Sequence, residues 1–159
     1  MASQRVKTPH PGGPERGDDA GQKGQGRPRH LLVDPIGRLR VGVVHAAGVQ
    51  DRAGATLVRQ TLRPRFLRLR RIWAAGGYSG ARRDWVRTLR PRHPLRLESV
   101  NRSDALTGCV GLPRRWGVER TFAWLGLPRR LSKDYATLPA TSETLVRVAM
   151  IRLMLVRLA

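Results

Sequence analysis

The sequence reads RRWGVERTFAWL over residues 114–125 and continues as RRLSKDY over residues 129–135. Val118, Phe122 and Leu125 recur at positions i, i+4 and i+7, a spacing that predicts a helix with one apolar stripe packed against a sheet. Glu119 directly follows Val118, so its carboxylate lies at the margin of that stripe, among arginines and aromatic residues. This pattern is typical of a metal-binding acid that lies beside nucleic acid.

Towards the C-terminus, Pro128 is expected to end or kink this helix. A last helix is predicted over residues 142–158, with Thr141 or Ser142 as its N-cap. It would pack through four apolar residues, Leu145, Val148, Ala149 and Leu155. The alternative for this segment is a basic helix at a membrane surface. Arginines interrupt it, so it is too short an apolar run to span a bilayer, and no membrane is predicted as a partner.

Towards the N-terminus, strands and helices alternate. Two strands at residues 30–33 and 39–46 form a hairpin around a turn at residues 34–37. A helix follows from Asp51 and ends before Pro64. The remaining expected elements are a strand over 69–74, a helix over 79–89, a strand over 95–100 and a loop over 101–113. This order indicates an α/β fold, with a mixed sheet and flanking helices.

Residues 5–29 hold many glycines and prolines among charged residues and almost nothing apolar to bury, which predicts a mobile or extended loop. The length of 159 residues suits one domain. The predicted organisation is a flexible basic segment over residues 1–29, with a remnant of the first strand, and one domain over residues 30–159.

The chain is strongly basic, with 31 Lys and Arg residues against 11 Asp and Glu. A field of this sign attracts the phosphates of nucleic acid, and arginine suits them geometrically. Only Lys7, Lys23 and Lys133 are lysines, so the arginine bias of a GC-rich genome is the alternative explanation. Cys109 is the single cysteine, which excludes an intrachain disulfide and favours the cytoplasm.

Four further motifs occur in order along the chain. They are SQ at residues 3–4 with VKT at 6–8, GRPRHLLVD at 26–34, VHAA at 44–47 with VQD at 49–51, and IWA at 72–74 with GGY at 76–78. With the stretch around Glu119, they resemble the RNase H-like catalytic domain of insertion-sequence DDE transposases. The resemblance implies an RNase H-like mixed sheet with flanking helices and a shortened first strand, in a truncated and degenerate copy.

The resemblance also implies a site in which three carboxylates hold two Mg²⁺ ions for DNA cleavage and strand transfer. The third acid falls on Glu119, whereas the first and second positions are vacated by Ala2 and Ala75. Loss of two acids predicts that this chain is catalytically inactive alone and that its Mg²⁺ binding is doubtful. The other acids have simpler expected roles: Asp34 in a turn, Asp51 as a helix cap, Asp84 on a solvated helix face and Asp104 in a loop. An ion pair with Arg115 is the alternative for Glu119 itself.

Six basic residues near the Glu119 helix are candidates for contact with DNA phosphates: Arg114, Arg115, Arg120, Arg129, Arg130 and Lys133. Each could equally be a solvated surface charge. Trp116 and Trp124 could stack on bases, but burial in the core is the favoured interpretation. The four histidines show no metal-ligand spacing.

Three functions follow from the sequence. The first is a transposase remnant that at most binds DNA. The second is a non-catalytic DNA-binding or regulatory partner of an intact transposase, pairing through the exposed edge of the shortened first strand, or a homo-oligomer. The third is a translated product without a stable fold.

Overall fold

The structure is a computed structural model. It describes residues 1–9, 17–19, 24–46, 48–49, 51–62, 66, 68–78, 95–100 and 113–158, and the following statements concern these residues. The predicted helix over 79–89 and most of the predicted loop over 101–113 lie outside them, as do Asp84 and Asp104.

Six strands and four helices are present in the described ranges. The strands are β1 (Ala2–Lys7), β2 (Gly17–Asp19), β3 (Gly24–Val33), β4 (Leu39–Val44), β5 (Arg71–Ala75) and β6 (Arg96–Val100). The helices are α1 (Asp51–Leu62), α2 (Pro113–Gly126), α3 (Arg129–Ser132) and α4 (Pro139–Val156), and a 3₁₀ turn covers Gly76–Tyr78. The α/β class is confirmed. None of the described helices is long and apolar enough to cross a membrane.

β3 is the centre of an antiparallel arrangement, since it pairs with β1, β2 and β4. β5 and β6 form a parallel pair. Two hydrogen bonds join these groups of strands at Met1: its terminal amino group donates to the Trp73 carbonyl at 2.5 Å, and its carbonyl accepts from the Ala75 N–H at 3.0 Å. β1 therefore adjoins β5 at Met1, while in the described residues it is otherwise the end strand of its sheet. Pairing of a partner with the edge of β1 stays a prediction.

The predicted hairpin is confirmed as β3 and β4, and the turn between them explains why. Asp34 Oδ1 accepts hydrogen bonds from the backbone N–H groups of Ile36 and Arg38. The carboxylate thus takes the place of a backbone carbonyl as acceptor, and these bonds close the turn. Gly37 has φ +87°, a left-handed conformation that glycine adopts without strain. The turn role expected for Asp34 is confirmed.

The loop predicted over residues 5–29 is wrong where the structure describes it, because parts of it are strand. β1 extends to Lys7, and β3 begins at Gly24 and runs across the predicted boundary between residues 29 and 30. The reason is polar burial: Arg27 and Arg29 are almost completely inaccessible and donate to backbone carbonyls of the segment around residues 131–137. A strand with buried arginines shows no apolar alternation, so its sequence reads as loop.

Buried apolar residues form two clusters on opposite faces of the sheet. One contains Met1 and Leu32 and packs against α1 through Ala55, Val58 and Leu62. The other contains their sequence neighbours Ala2 and Leu31 and packs against α2 and α4. Since successive strand residues point to opposite faces, the sheet is covered by helices on both sides.

The C-terminal helix differs from its prediction at its start and in its buried face. α4 begins at Pro139 after Leu138, without a side-chain cap, so Thr141 and Ser142 are not its caps. Its buried residues are Ser142, Val146 and Met150, whereas Val148 and Leu155 are exposed. The predicted packing of Leu145 and Ala149 is confirmed, since both lie against the α2-side cluster. The predicted break at Pro128 is confirmed too, because α2 ends at Gly126 and α3 begins at Arg129.

Candidate functional site

Two of the three positions assigned to acids, Ala2 and Ala75, meet on one face of the sheet. Because Met1 bonds to both Trp73 and Ala75, it lies opposite Ala74 in a parallel register, and Ala2 is therefore the neighbour of Ala75. The two alanines share the sheet face that packs against α2. This arrangement brings together two residues that are 73 positions apart in the sequence.

Both alanines lie in apolar surroundings. Ala2 is 7% exposed and belongs to the cluster that includes Val118 and Phe122 of α2, and Ala75 packs against the same cluster. A methyl group offers no lone pair to a cation, and the apolar neighbours supply none either. Two of the three positions at which the resemblance implies a metal ligand therefore carry side chains that cannot bind a metal ion.

Glu119 lies on α2 beside Val118, which is buried. Its Oε1 accepts from Arg115 Nη2 at 2.9 Å, and its side chain is 39% exposed. The alternative interpretation of Glu119 as half of an ion pair with Arg115 is therefore confirmed as a contact. Such a partly exposed pair contributes no more than about 1 kcal/mol to stability.

No other acid within the described ranges completes a metal site. Asp34 is engaged in its turn and lies 3.3 Å from Arg40 Nη2. Among the described residues, no three His, Cys, Asp or Glu side chains come close enough together to hold a metal ion. The residues described here do not fit a pair of Mg²⁺ ions.

The six predicted phosphate contacts divide into two groups. Arg115 and Arg120 are engaged, the first with Glu119 and the second with the Ile36 carbonyl at 3.0 Å. The other four are exposed: Arg114 lies on the first turn of α2, and Arg129, Arg130 and Lys133 lie on α3 or just after it. We call Arg129, Arg130 and Lys133 the α3 basic cluster.

The tryptophans on α2 are not core residues. Trp116 is 53% exposed, which corrects the expectation that it is buried. Trp124 is half-buried between two guanidinium groups, with Arg120 at 4.8 Å and Arg157 at 3.9 Å from its ring. Cation–π contacts of this kind hold arginines in place beside an aromatic face.

A buried polar network was not predicted from the sequence. Asp134 accepts from Ser142 Oγ at 2.5 Å and from the Ala136 N–H at 3.1 Å, and it lies 3.6 Å from Arg27 Nη1. These bonds fix the segment after α3 against β3. Burial lowers the pKa of the Arg29 guanidinium, while the charge of Asp134 acts in the opposite direction. The only signal in the sequence is the spacing of Arg27 and Arg29, which places both on one strand face.

A second buried network joins His30, His45 and Tyr78. His30 Nδ1 lies 2.5 Å from the Tyr78 hydroxyl, and His30 Nε2 lies 2.6 Å from His45 Nε2. His45 Nδ1 lies 2.8 Å from the Ala46 carbonyl, so it carries a proton and His45 Nε2 accepts. Burial, together with the neighbouring His45, lowers the pKa of His30 to about 3. The His30 ring is therefore neutral at neutral pH.

Comparison with known proteins identifies one family. The family model described as Transposase DDE domain matches residues 3–154. Neither a search of curated proteins nor a search of solved structures gives a significant match. Ala75 and Glu119 lie inside the matched range, and Ala2 immediately precedes it.

Proposed function

We propose, because this chain belongs to the transposase DDE-domain family, that it is a DNA-binding protein of transposase descent that no longer performs metal-dependent DNA cleavage and strand transfer. Its domain is proposed to be RNase H-like. The placement of the three acid positions supports this, because they fall on the first strand, at the end of β5 and on a late helix, as the resemblance implies.

One observation carries the proposed inactivity: the adjacent positions 2 and 75 hold methyl groups in an apolar cluster. DNA cleavage by two metal ions needs ligands that hold both ions about 3.5–4 Å apart. Mg²⁺ requires hard oxygen ligands, and Glu119 alone supplies only one carboxylate. The remaining site is therefore proposed to be vestigial, with Glu119 as the surviving acid.

DNA binding is proposed to use the phosphate backbone. The formal net charge is +20 at pH 7, and the α3 basic cluster presents three exposed cations in one segment. Arg114 adds a fourth near the start of α2. Contacts to phosphates neutralise charge and release counterions without reading bases, so binding with little sequence preference is expected. The proposed location is the cytoplasm.

A non-catalytic, regulatory partner of an intact transposase is the second candidate function, as a hetero-oligomer or homo-oligomer. The observation that favours it is that the exposed cations of the α3 basic cluster are present while positions 2 and 75 hold alanine. An inactive subunit that still binds DNA would compete with an active one for the same sites.

Inactivity is tested with plasmid DNA in the presence of Mg²⁺ or Mn²⁺. Wild-type protein, Glu119→Ala and Ala2→Asp/Ala75→Asp are compared for nicking and strand transfer. We expect no metal-dependent product from wild type. Products that require the metal and vanish in Glu119→Ala would overturn the proposal, as would calorimetric uptake of two Mg²⁺ ions per chain.

DNA binding is tested by the anisotropy of a labelled duplex over a range of NaCl concentrations. A variant with Arg129→Gln, Arg130→Gln and Lys133→Gln should reduce the slope of log K against log salt by about 2.7, since each phosphate contact contributes about 0.9. The control replaces three exposed arginines elsewhere, Arg38, Arg96 and Arg152, with Gln. A flat salt dependence in wild type would reject phosphate binding, and equal slopes in both variants would reject the α3 basic cluster.

A further inference from the structure

Tyr135 is an exposed aromatic residue between two buried neighbours. It is 46% exposed, whereas Asp134 before it is 2% exposed and Ala136 after it is 4% exposed. A single exposed aromatic residue is ordinary on a protein surface. What distinguishes Tyr135 is the way in which the adjacent residues hold its backbone and the charges that surround its ring.

The backbone on both sides of Tyr135 is fixed to the sheet and to α4. The Asp134 N–H donates to the Lys7 carbonyl at 2.9 Å, and the Asp134 carboxylate accepts from Ser142 Oγ at 2.5 Å. Arg27 donates to the carbonyls of the two residues that follow Tyr135, both at 2.6 Å. Because the position of the ring is set by these bonds, little conformational entropy is lost when a ligand binds to it.

The surroundings of the ring are cationic. The Arg130 guanidinium lies over the Tyr135 ring, 5.7 Å from its centroid. Lys133 is exposed two residues before the tyrosine, and Arg129 is exposed at the start of α3. An accessible aromatic face among cations is the combination by which proteins bind single strands, since the cations contact phosphates and the ring stacks on a base.

The ring, rather than the charge, selects the form of DNA. The cations of the α3 basic cluster attract the phosphates of a duplex and of a single strand alike. In a duplex the bases are stacked on one another and only their edges are open to the grooves. A base must leave this stack before a side chain can lie against its face. The exposed ring of Tyr135 therefore favours DNA that contains unpaired bases.

We propose that Tyr135, together with Arg130 and Lys133, is a stacking site for an unpaired DNA base. The base lies against the Tyr135 ring, and the two cations contact the phosphates beside it. Every base has a face that can stack, so little sequence preference is expected. The inference rests on the proposed DNA binding and adds to it the state of the strand that is bound.

The probes are two fluorescein-labelled strands with the same number of phosphates. One is an oligo(dT) of about eight nucleotides, a length within the usual site size for single strands, and the other is an equally long strand of abasic residues. Anisotropy should show that oligo(dT) binds at least about fivefold more tightly, which is the effect of one stacked base. Equal binding of the two strands would overturn the proposal and leave phosphate binding intact.

Two further ligands separate the ways in which the proposal can fail. A labelled duplex in the same buffer tests the DNA binding on which the site rests: if neither the duplex nor either single strand binds, both proposals are overturned. An oligo(U) strand of the same length separates DNA from RNA, because tighter binding of the RNA would overturn the assignment to DNA.

Three protein variants locate the stacked base. Tyr135→Leu should weaken binding of oligo(dT) by at least about fivefold and binding of the abasic strand by less than about twofold. Tyr135→Phe retains the ring and should bind oligo(dT) within about twofold of wild type. Trp116→Leu removes an aromatic residue of similar exposure, 53%, outside the α3 basic cluster, and should leave oligo(dT) binding nearly unchanged.

The variants also give the results that would contradict the assignment. Equal weakening of oligo(dT) binding by Tyr135→Leu and Trp116→Leu would overturn it, as would a loss in Tyr135→Phe as large as that in Tyr135→Leu. Unchanged binding of the abasic strand, together with circular dichroism, shows that each variant remains folded.

Discussion

At the scale of single residues, a methyl group in place of a carboxylate changes both charge and packing. Ala2 and Ala75 fit an apolar cluster beneath α2, so neither position buries a charge. The identity of these two positions could be predicted from the motifs around them. Their adjacency could not, because it depends on pairing between strands far apart in sequence. The engagement of Arg120 with the Ile36 carbonyl likewise depends on where the hairpin turn lies.

Restoring the two acids should destabilise the protein and make its stability depend on metal. In Ala2→Asp/Ala75→Asp, two carboxylates would enter apolar surroundings, and we expect the free energy of unfolding to fall by roughly 2–4 kcal/mol without divalent ions. Millimolar MgCl₂ should recover part of this loss, because the ions neutralise the carboxylates. Urea unfolding with and without MgCl₂ measures both effects. Ala2→Asn/Ala75→Asn is the uncharged control, and an equal Mg²⁺ effect on wild type would contradict the expectation.

His30 should make the protein sensitive to acid. Its pKa is lowered to about 3 in the folded state, whereas an unfolded histidine titrates near 6.5. Below pH 6.5 the unfolded state therefore binds a proton at His30 that the folded state does not bind. The free energy of unfolding falls as the pH falls from about 6.5 towards 3. This one group should remove about 2 kcal/mol between pH 8 and pH 5.

The measurement for His30 is urea unfolding at both pH values, in wild type and in His30→Gln. Gln does not titrate and retains a hydrogen-bonding group for Tyr78. The acid-induced loss in wild type should exceed that in His30→Gln by the amount above. Parallel losses in the two proteins would show that His30 is not responsible.

At the scale of elements, the sequence predicted the strands and helices whose apolar residues follow a clear period. Their ends were predicted correctly where residues that favour turns are present. The hairpin of β3 and β4 has β-branched residues and the Asp34 turn, and α2 has one apolar stripe. The face of α4 was mispredicted because nearly every residue between Leu145 and Val156 is apolar, so periodicity does not select one side. The start of β3 was missed because its inward residues are arginines bonded to distant carbonyls.

The packing of α1 on the sheet should depend on Gly54. A Cβ added there would overlap the His30 ring and lie 2.8 Å from His45 Nε2. Helix propensity alone would favour alanine by about 1 kcal/mol, but the overlap acts on buried rings, so Gly54→Ala should lower the free energy of unfolding by about 1–3 kcal/mol. Gly126→Ala, where a Cβ meets nothing within 4 Å, is the control in chemical unfolding. Stabilisation by both substitutions would contradict the close packing of α1.

Two neighbouring residues of α4 should differ sharply in their contribution to stability. Met150 is 3% exposed and Ile151 is 51% exposed. Met150→Ala should lower the free energy of unfolding by about 2–5 kcal/mol through loss of buried contacts and a remaining cavity, and Ile151→Ala by less than about 1 kcal/mol. Both residues lie on the same helix, so the change in helix propensity on substitution by Ala is small for each of them. Similar losses in urea unfolding would mean that a different face of α4 is buried.

At the scale of the whole molecule, the order of the elements and the family could be predicted from several motifs occurring in sequence. The joining of the antiparallel strands to β5 and β6 could not, since it is made by the backbone of Met1. The same joint places Ala2 beside Ala75, the two positions at which the resemblance implies metal ligands.

The excess of positive charge should itself limit the stability of the fold. With a formal net charge of +20, repulsion between exposed arginines favours expansion of the chain. Raising NaCl from about 0.01 M to 0.15 M shortens the Debye length from about 30 Å to 8 Å, and the melting temperature should rise by about 2–4 °C. Replacing Arg38, Arg96 and Arg152 with Gln removes three exposed charges and should raise the melting temperature at low salt while reducing its dependence on salt. A melting temperature that falls as NaCl is added would instead mean that surface ion pairs, such as Arg115 with Glu119, outweigh the repulsion.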